Sequence, residues 1–337
     1  MSLLIVPGDD HLDNPRLAPD WNLYRHILYS RGYALLTFRD IKLCQQKVWE
    51  GRRLQSLTHP KSSRHHPQQA PLDENALCRD AGLPENMFRG VSLRDGRKVI
   101  VKAVHTRSRE LDVLRFLSAP SLRLDPMNHT IPVLDVVEIP ADHTAFVVQE
   151  EWTRQLHTER PSNLRKFLRL IRQCIEVIVS LLFGHATQCS GNLIVFFQGV
   201  AFMHSHGVCH LDMSLRNILT DGNGRCAFID FELSRRLQRG QDVRICGRLG
   251  TEIPKELDRG EQADPFKVDV YALGAIISRA CQLTGYNVPE LTQLIGPIAK
   301  VQPEDRPSAR SLLRAFDKMV PQLGETRLSM ASSVPRP

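Results

Sequence analysis

The chain has 337 residues, 42% hydrophobic and 24% charged, with a formal net charge of +7. This composition is that of ordinary globular protein, long enough for one two-lobed unit or two domains, and it excludes collagen-like, low-complexity or wholly disordered chains. Eight cysteines with no Cys-x-x-Cys pair and no regular spacing argue against a disulfide scaffold and for free thiols in a reducing compartment. No basic stripe interleaved with aromatics accompanies the excess charge, so acidic or phosphate-bearing partners fit better than nucleic acid.

Met1–Val6 is too short for a secretory signal and is followed at once by Pro7, Gly8 and acids, so the protein is expected to stay inside the cell. Trp21–Leu28 carries apolar residues at helical spacing, and Tyr33–Phe38 reads as a strand. Residues 51–79 break periodicity and are expected to form a flexible linker. Its polar, proline-bounded part holds His65 and His66 without the spacing of a metal site. Asp95-Gly96 predicts a hairpin turn, and Val99–Lys102 is an alternating strand that ends in an amine.

Residues 177–198, VIVSLLFGHATQCSGNLIVFFQ, interrupt a helix. Joining Glu176 to Gly199 lets apolar residues recur at Leu164, Phe167, Leu168, Ile171, Cys174, Ile175 and Val200 with unbroken i, i+3, i+4 spacing. A valine codon starts with GT, and Phe-Phe-Gln is encodable as a pyrimidine tract ending in CAG, so the segment has the outline of a translated intron. Gly184 to Asn192 breaks its apolar run short of the ~20 residues a membrane span needs. Transcript sequencing across codons 170 to 205 decides its origin, and finding only the unspliced form would defeat the idea.

The densest signal is the run His210-Leu211-Asp212-Met213-Ser214-Leu215-Arg216-Asn217, followed by Asp230-Phe231-Glu232. Ile218–Thr220 and Ala227–Ile229 look like two strands joined by Asp221-Gly222-Asn223-Gly224, a hairpin that would hold the two acidic positions in fixed relation. The residue types suit phosphoryl transfer: Asp212 beside an attacking hydroxyl, with Asn217 and Asp230 holding metal against phosphate oxygens.

With these pieces the chain resembles the protein kinase family, whose catalytic loop reads H-R-D-x-x-x-x-N and whose metal turn reads D-F-G. Val99-Ile100-Val101-Lys102 is similar to its V-A-I-K strand, and Arg109–Leu117 resembles its regulatory helix, with Glu110 as the partner of Lys102. Gly250–Glu256 stands where the family closes its activation segment, Asp269–Gly274 resembles the start of its buried central helix, and Pro303–Pro307 resembles the turn that supplies an arginine to the segment's glutamate. The resemblance thus implies a buried Glu256–Arg306 pair. Asn128–Asp135, Phe202–Val208 and the Asp-Phe-Glu turn are similar to a divergent kinase-like group of mushroom-forming fungi (basidiomycetes).

The resemblance implies an α+β, two-lobed kinase-like fold. Its small β-rich lobe would span 80–150, with strands near 87–92, 98–104, 133–138 and 144–150 and a helix at 107–118. A larger, mainly helical lobe would span 151–322. Residues 1–50 would dock on the small lobe as an extension, and 323–337 would be a disordered tail. It further implies ATP and Mg2+ as cofactors and a protein substrate bearing Ser or Thr, with no nucleic acid or membrane partner. Asp212 would be the proton acceptor, Lys102 the phosphate ligand braced by Glu110, Asn217 and Asp230 the metal ligands, and Arg216 a cation for the transferred phosphate. The crossover Gln149, Glu150, Glu151 and Trp152 would meet the adenine through its backbone. Four departures bear on chemistry: no glycine-rich phosphate cover before Lys102, Leu211 for the loop arginine, Ser214 for the loop lysine, and Glu232 for the glycine of D-F-G. The loop with its acidic Asp-Phe-Glu turn also resembles small-molecule kinases of the choline or aminoglycoside type, and the missing glycine-rich cover and Glu232 leave open a scaffold without catalysis.

Overall fold

The computed structural model describes residues 4–7, 16–55, 73–155, 161–175, 200–238, 241–300 and 302–331. In chain order these begin with β1 (Leu4–Pro7), α1 (Trp21–Ser30), β2 (Tyr33–Leu35), α2 (Phe38–Gln55), β3 (Met87–Ser92), β4 (Lys98–His105), α3 (Arg109–Leu117) and α4 (Pro120–Arg123). Next come β5 (Val133–Ile139), β6 (Thr144–Glu150), β7 (Arg154–Gln155), α5 (Leu164–Ile175), α6 (Val200–Ser205), β8 (Val208–Cys209), β9 (Ile218–Thr220) and β10 (Cys226–Phe228). The remainder are β11 (Arg235–Arg236), β12 (Val243–Cys246), α7 (Lys255–Asp258), α8 (Pro265–Thr284), α9 (Pro289–Lys300), α10 (Ala309–Met319) and α11 (Glu325–Leu328). The elements fall into two compact units.

The smaller unit, 16–106 with 133–151, is built on a five-stranded antiparallel sheet ordered β2-β3-β4-β6-β5. Alternation along β4 turns Val99, Val101 and Ala103 to one face, where they cluster with Phe88, Val137, Phe146 and Val148. Helix α1 covers that face through Trp21 and Leu28. The Trp21 ring lies 5.3 Å from Phe88 and 5.6 Å from Phe146, and its indole N–H donates to Glu85 O at 3.1 Å, so its polar end is satisfied as its body is buried. The opposite face of β4 carries Ile100, Lys102 and Val104.

Two features differ from the sequence expectation. Strand β2 is an edge strand of the sheet itself, Tyr33 pairing Ser92 and Leu35 pairing Gly90, so residues 16–50 are built into the unit that they were expected to dock on as an extension, whereas β1 belongs to the larger unit. The strand stops at Leu35 because Thr37 and Asp40 form a capping box: Asp40 Oδ2 accepts from the Thr37 N–H at 2.8 Å and hydroxyl at 2.7 Å. Helix α2 therefore starts at Phe38 and runs to Gln55, into the expected linker. Its far end, residues 73–79, is tied back by Phe38 N–H to Ala76 O at 3.1 Å and Cys78 N–H to Leu36 O at 3.0 Å. His65 and His66 lie outside the described residues.

The larger unit comprises 107–132, everything from 152 onward and the β1 segment. Its axis is α8, which is started by Pro265 at its first turn and the Asp264 cap, ended by Gly285 at φ +72°, and buried along most of its length. A helix apolar on nearly all sides belongs at the centre of a core. Residues 323–331 are ordered where a disordered tail over 323–337 was expected: Leu328 is buried, Leu164 N–H donates to Met330 O at 2.9 Å, and Arg327 pairs with Glu290 at 2.5 Å, while 332–337 lie outside the described residues. Residues 177–198 lie outside the described residues. The helices on either side end at Ile175, fully buried, and resume at Val200. No helix among the described residues is long and apolar enough to cross a membrane.

Candidate active site

The loop 210–217 hangs from α8. Asp269, wholly buried, accepts from the His210 N–H and the Leu211 N–H, each at 2.8 Å, and from His204 Nε2 at 2.9 Å. A buried carboxylate is tolerable only when donors surround it, and here the donors are the loop's own backbone. Leu211 consequently sits at φ +64°, a left-handed conformation that a leucine adopts at a cost of about 1–2 kcal/mol.

A second anchor is the backbone of Ile229. Its N–H donates to Asn217 O at 3.0 Å, continuing the β9–β10 hairpin, and its carbonyl accepts from His210 Nε2 at 3.1 Å. The Asp212 N–H donates to His210 Nδ1 at 3.3 Å, so the imidazole links the Asp212 and Ile229 backbones through its two nitrogens. These bonds bring both ends of the 210–217 loop to the residue before Asp230. Asp230 itself is at φ +64° and half-buried.

Within the loop, Asn217 Nδ2 donates to Asp212 O at 2.9 Å and to Asp212 Oδ2 at 3.0 Å. The other oxygen, Oδ1, accepts the Thr251 N–H at 2.7 Å and the Thr251 hydroxyl at 2.8 Å. Three donors among the described residues thus fix a carboxylate that offers about four lone-pair sites. Asn217 spends its amide hydrogens on Asp212 and has its carbonyl oxygen to offer a cation. An amide oxygen such as this one and a carboxylate such as that of Asp230 are both of the hard-oxygen type that magnesium takes. No cluster of three or more His, Cys, Asp or Glu with metal-ligand placing occurs among the described residues. Arg216 projects from the same loop and is exposed.

Beyond Thr251 the segment is locked by Glu256 and Arg306, which form a bidentate pair at 2.6 and 2.8 Å, each side chain 3% exposed. Arg306 also donates to Lys267 O at 3.3 Å and stacks over Tyr271 at 5.0 Å. Leu211 packs with Ile245, Leu249, Leu257 and Val268 in one apolar cluster, so the residue in the loop-arginine position is a core residue. Glu232 is half-buried in the turn after Asp230.

In the smaller unit, Lys102 is 5% exposed and lies opposite Met87 and Val147 in the ladder. The Glu151 N–H donates to Lys98 O at 3.0 Å, extending the β4–β6 ladder, and its carboxylate pairs with Arg89; that N–H is therefore not one an adenine would meet. Glu150, half-buried, ends β6 opposite Val99. In the larger unit, Glu110 is buried in the first turn of α3, a helix capped by Ser108, and Trp152 packs against Ile131 and Ala227.

Sequence reasoning missed Thr251 and Ile229. Ile229 acts through its backbone alone and leaves no side-chain signal. Thr251 follows Gly250, whose φ of +76° and approach to Leu211 O leave no room for a Cβ, so a glycine directly before a hydroxyl was the available clue. The glycine-rich cover is missing because the two strands that would flank it, β2 and β3, are joined by residues 36–86, including α2.

Residues 185–288 match the family model described as the protein kinase domain. The chain is 28% identical over 144 residues to sperm motility kinase Z of Mus musculus, covering 36% of this chain and 29% of that protein. It is 40% identical over 78 residues to the serine/threonine-protein kinase mos of Gallus gallus, 22% of each chain. It is 36% identical over 109 residues to CBL-interacting serine/threonine-protein kinase 15 of Arabidopsis thaliana, 29% of this chain and 25% of that one. The matches span under a third of each relative's length. The chain has the kinase fold, an N-terminal antiparallel sheet followed by a mainly helical region.

Proposed function

We propose that the chain is a magnesium-dependent protein kinase that transfers the γ-phosphoryl group of ATP to a Ser or Thr hydroxyl of a protein. The observation that carries this reading is the Asp212 carboxylate, fixed by Asn217 and by both donors of Thr251 at 2.7–3.0 Å. One of its lone-pair sites remains for an incoming hydroxyl. The substrate oxygen bonds to the γ-phosphorus, the bond from that phosphorus to the bridging oxygen breaks, ADP leaves, and the hydroxyl proton passes to Asp212.

Asn217 and Asp230 would hold magnesium, which would neutralise charge on the phosphate oxygens. By the resemblance alone, Lys102 would be the ligand of the α- and β-phosphates and Glu110 its brace, Arg216 the cation for the transferred group, and Gln149, Glu150 and Trp152 the source of backbone groups for the adenine. The similarity to the divergent kinase-like group of mushroom-forming fungi rests on the same sequence grounds. A segment closed by Glu256 and tied to Arg306 favours a protein acceptor over a small molecule.

One observation favours a second reading, a scaffold without catalysis: β2 ends at Leu35 and β3 begins only at Met87, so no short phosphate cover joins the two strands. Thermal unfolding with ATP and magnesium separates the two. A ligand at 100 times its Kd adds about 2.7 kcal/mol, so the kinase reading expects a rise in Tm that needs both components and is lost in Lys102→Met. No shift at saturating nucleotide favours the scaffold.

A further inference from the structure

From Asp230 to Glu256 the chain carries only two hydroxyl side chains, Ser234 and Thr251. Ser234 is fully buried and donates to His210 O at 3.0 Å, and the Thr251 hydroxyl is committed to Asp212. Neither is placed to accept a regulatory phosphate. Leu211, buried in its apolar cluster, supplies no cation to receive one. The segment is nevertheless ordered ahead of Thr251, and the means are visible.

Ile245 and Leu249 are buried against Leu211. The backbone of Ile245 exchanges two hydrogen bonds with Ala263, N–H to O in both directions at 2.9 Å. Successive peptide groups of an extended strand point to opposite edges. With Ile245 turned to Ala263, Arg244 and Cys246 turn their N–H and C=O groups to the other edge of β12. Along that edge lies β1, in parallel register from Leu4 opposite Val243 to Pro7 opposite Cys246.

We propose that β12 is a strand-addition surface for an extended peptide and that its occupant is the chain's own Leu4–Pro7, which orders the segment leading to Thr251 in place of phosphorylation. Recognition runs through the backbone, as in other cases where a strand is added to an exposed edge. A lone two-stranded pair is only marginally stable, so the occupant is exchangeable and the edge is open to competition by another extended peptide. The inference rests on the pairing of β1 with β12 and not on phosphotransfer.

Amide-resolved hydrogen exchange tests it, comparing the full chain with the double variant Ile5→Pro/Val6→Pro. Proline removes the N–H donors through which an interior strand residue pairs. Exchange at the Arg244 and Cys246 amides is expected to accelerate by about tenfold or more, while Ile245, held by Ala263, and Leu211, held by Asp269, change little. A synthetic peptide of residues 1–10 added in trans should restore the protection. Unchanged exchange at Arg244 and Cys246 overturns the proposal. Should the double variant loosen Leu211 as well, titrating the peptide into a chain lacking residues 1–15 decides: saturable protection of Arg244 and Cys246 supports the site, and none overturns it. Phosphotransfer that rises when the strand is lost also contradicts an ordering role. The exchange experiment reads no activity, so its failure and that of the kinase reading are separable.

Discussion

Asp269 Oδ1 accepts the Leu211 N–H at 2.8 Å, and Leu211 is held at φ +64°. A helix residue thereby maintains a strained backbone 58 positions upstream, one place before Asp212. Removing that acceptor should release the strain and strand the N–H groups of His210 and Leu211. Each stranded buried donor costs about 1–3 kcal/mol. Asp269→Ala is therefore expected to lose roughly 2–6 kcal/mol in denaturant unfolding, with fast exchange at those two amides. Retained protection there would show that other contacts hold the loop.

Glu256 and Arg306 form the deepest ion pair among the described residues, both side chains 3% exposed. Losing one member leaves the other charged and unpaired, at a cost of about 3–5 kcal/mol. Arg306→Met and Glu256→Gln should each unfold at markedly lower denaturant. The double variant Glu256→Leu/Arg306→Met should recover a substantial part of the loss, and a strictly additive double would argue against coupling.

Gly250→Ala tests the close approach of the segment to the loop. An added Cβ would meet Leu211 O, and alanine is poorly suited to φ +76°. The change should shift Thr251 away from Asp212 and cost about 1–3 kcal/mol, with phosphotransfer falling more steeply than stability. Gly224→Ala is the control, since its φ of +94° is equally demanding but no atom lies within 4 Å of the added carbon.

The ordered tail should be sensitive to acid. The Arg327 guanidinium beside Glu290 holds its carboxyl below the usual value of 4.5. A depressed carboxyl pKa contributes stability that is present above the unfolded value and lost as pH falls through the folded one. Amides of residues 328–330 should therefore lose protection as pH drops below about 4.5. Glu290→Gln should abolish that dependence.

Much of this arrangement was legible beforehand because it lies in short motifs with fixed chemistry. The expected hairpin of Ile218–Thr220 with Ala227–Ile229 appears as β9 and β10, and the Asp95-Gly96 turn joins β3 to β4. The strands expected near 87–92 and 144–150 match β3 and β6. What was not legible depends on long-range pairing. Tyr33–Leu35 reads as a strand, but nothing local says that it joins β3 across the intervening residues 36–86. Leu211 looked like the loss of a basic anchor. Its apolar partners Ile245 and Leu249 become neighbours only once the chain folds. A disordered tail was expected over 323–337, and it is the contacts of Leu328 and Arg327 that order 323–331.

The central claim is that Asp212 and Asp230 act together in phosphoryl transfer. The most direct measurement is incorporation of label from γ-labelled ATP with magnesium into a generic protein acceptor, by the full chain and by Asp212→Asn and Asp230→Ala. The account predicts transfer by the parent chain and at least about a hundredfold loss in each variant, with folding retained. Equal labelling by all three proteins would contradict it.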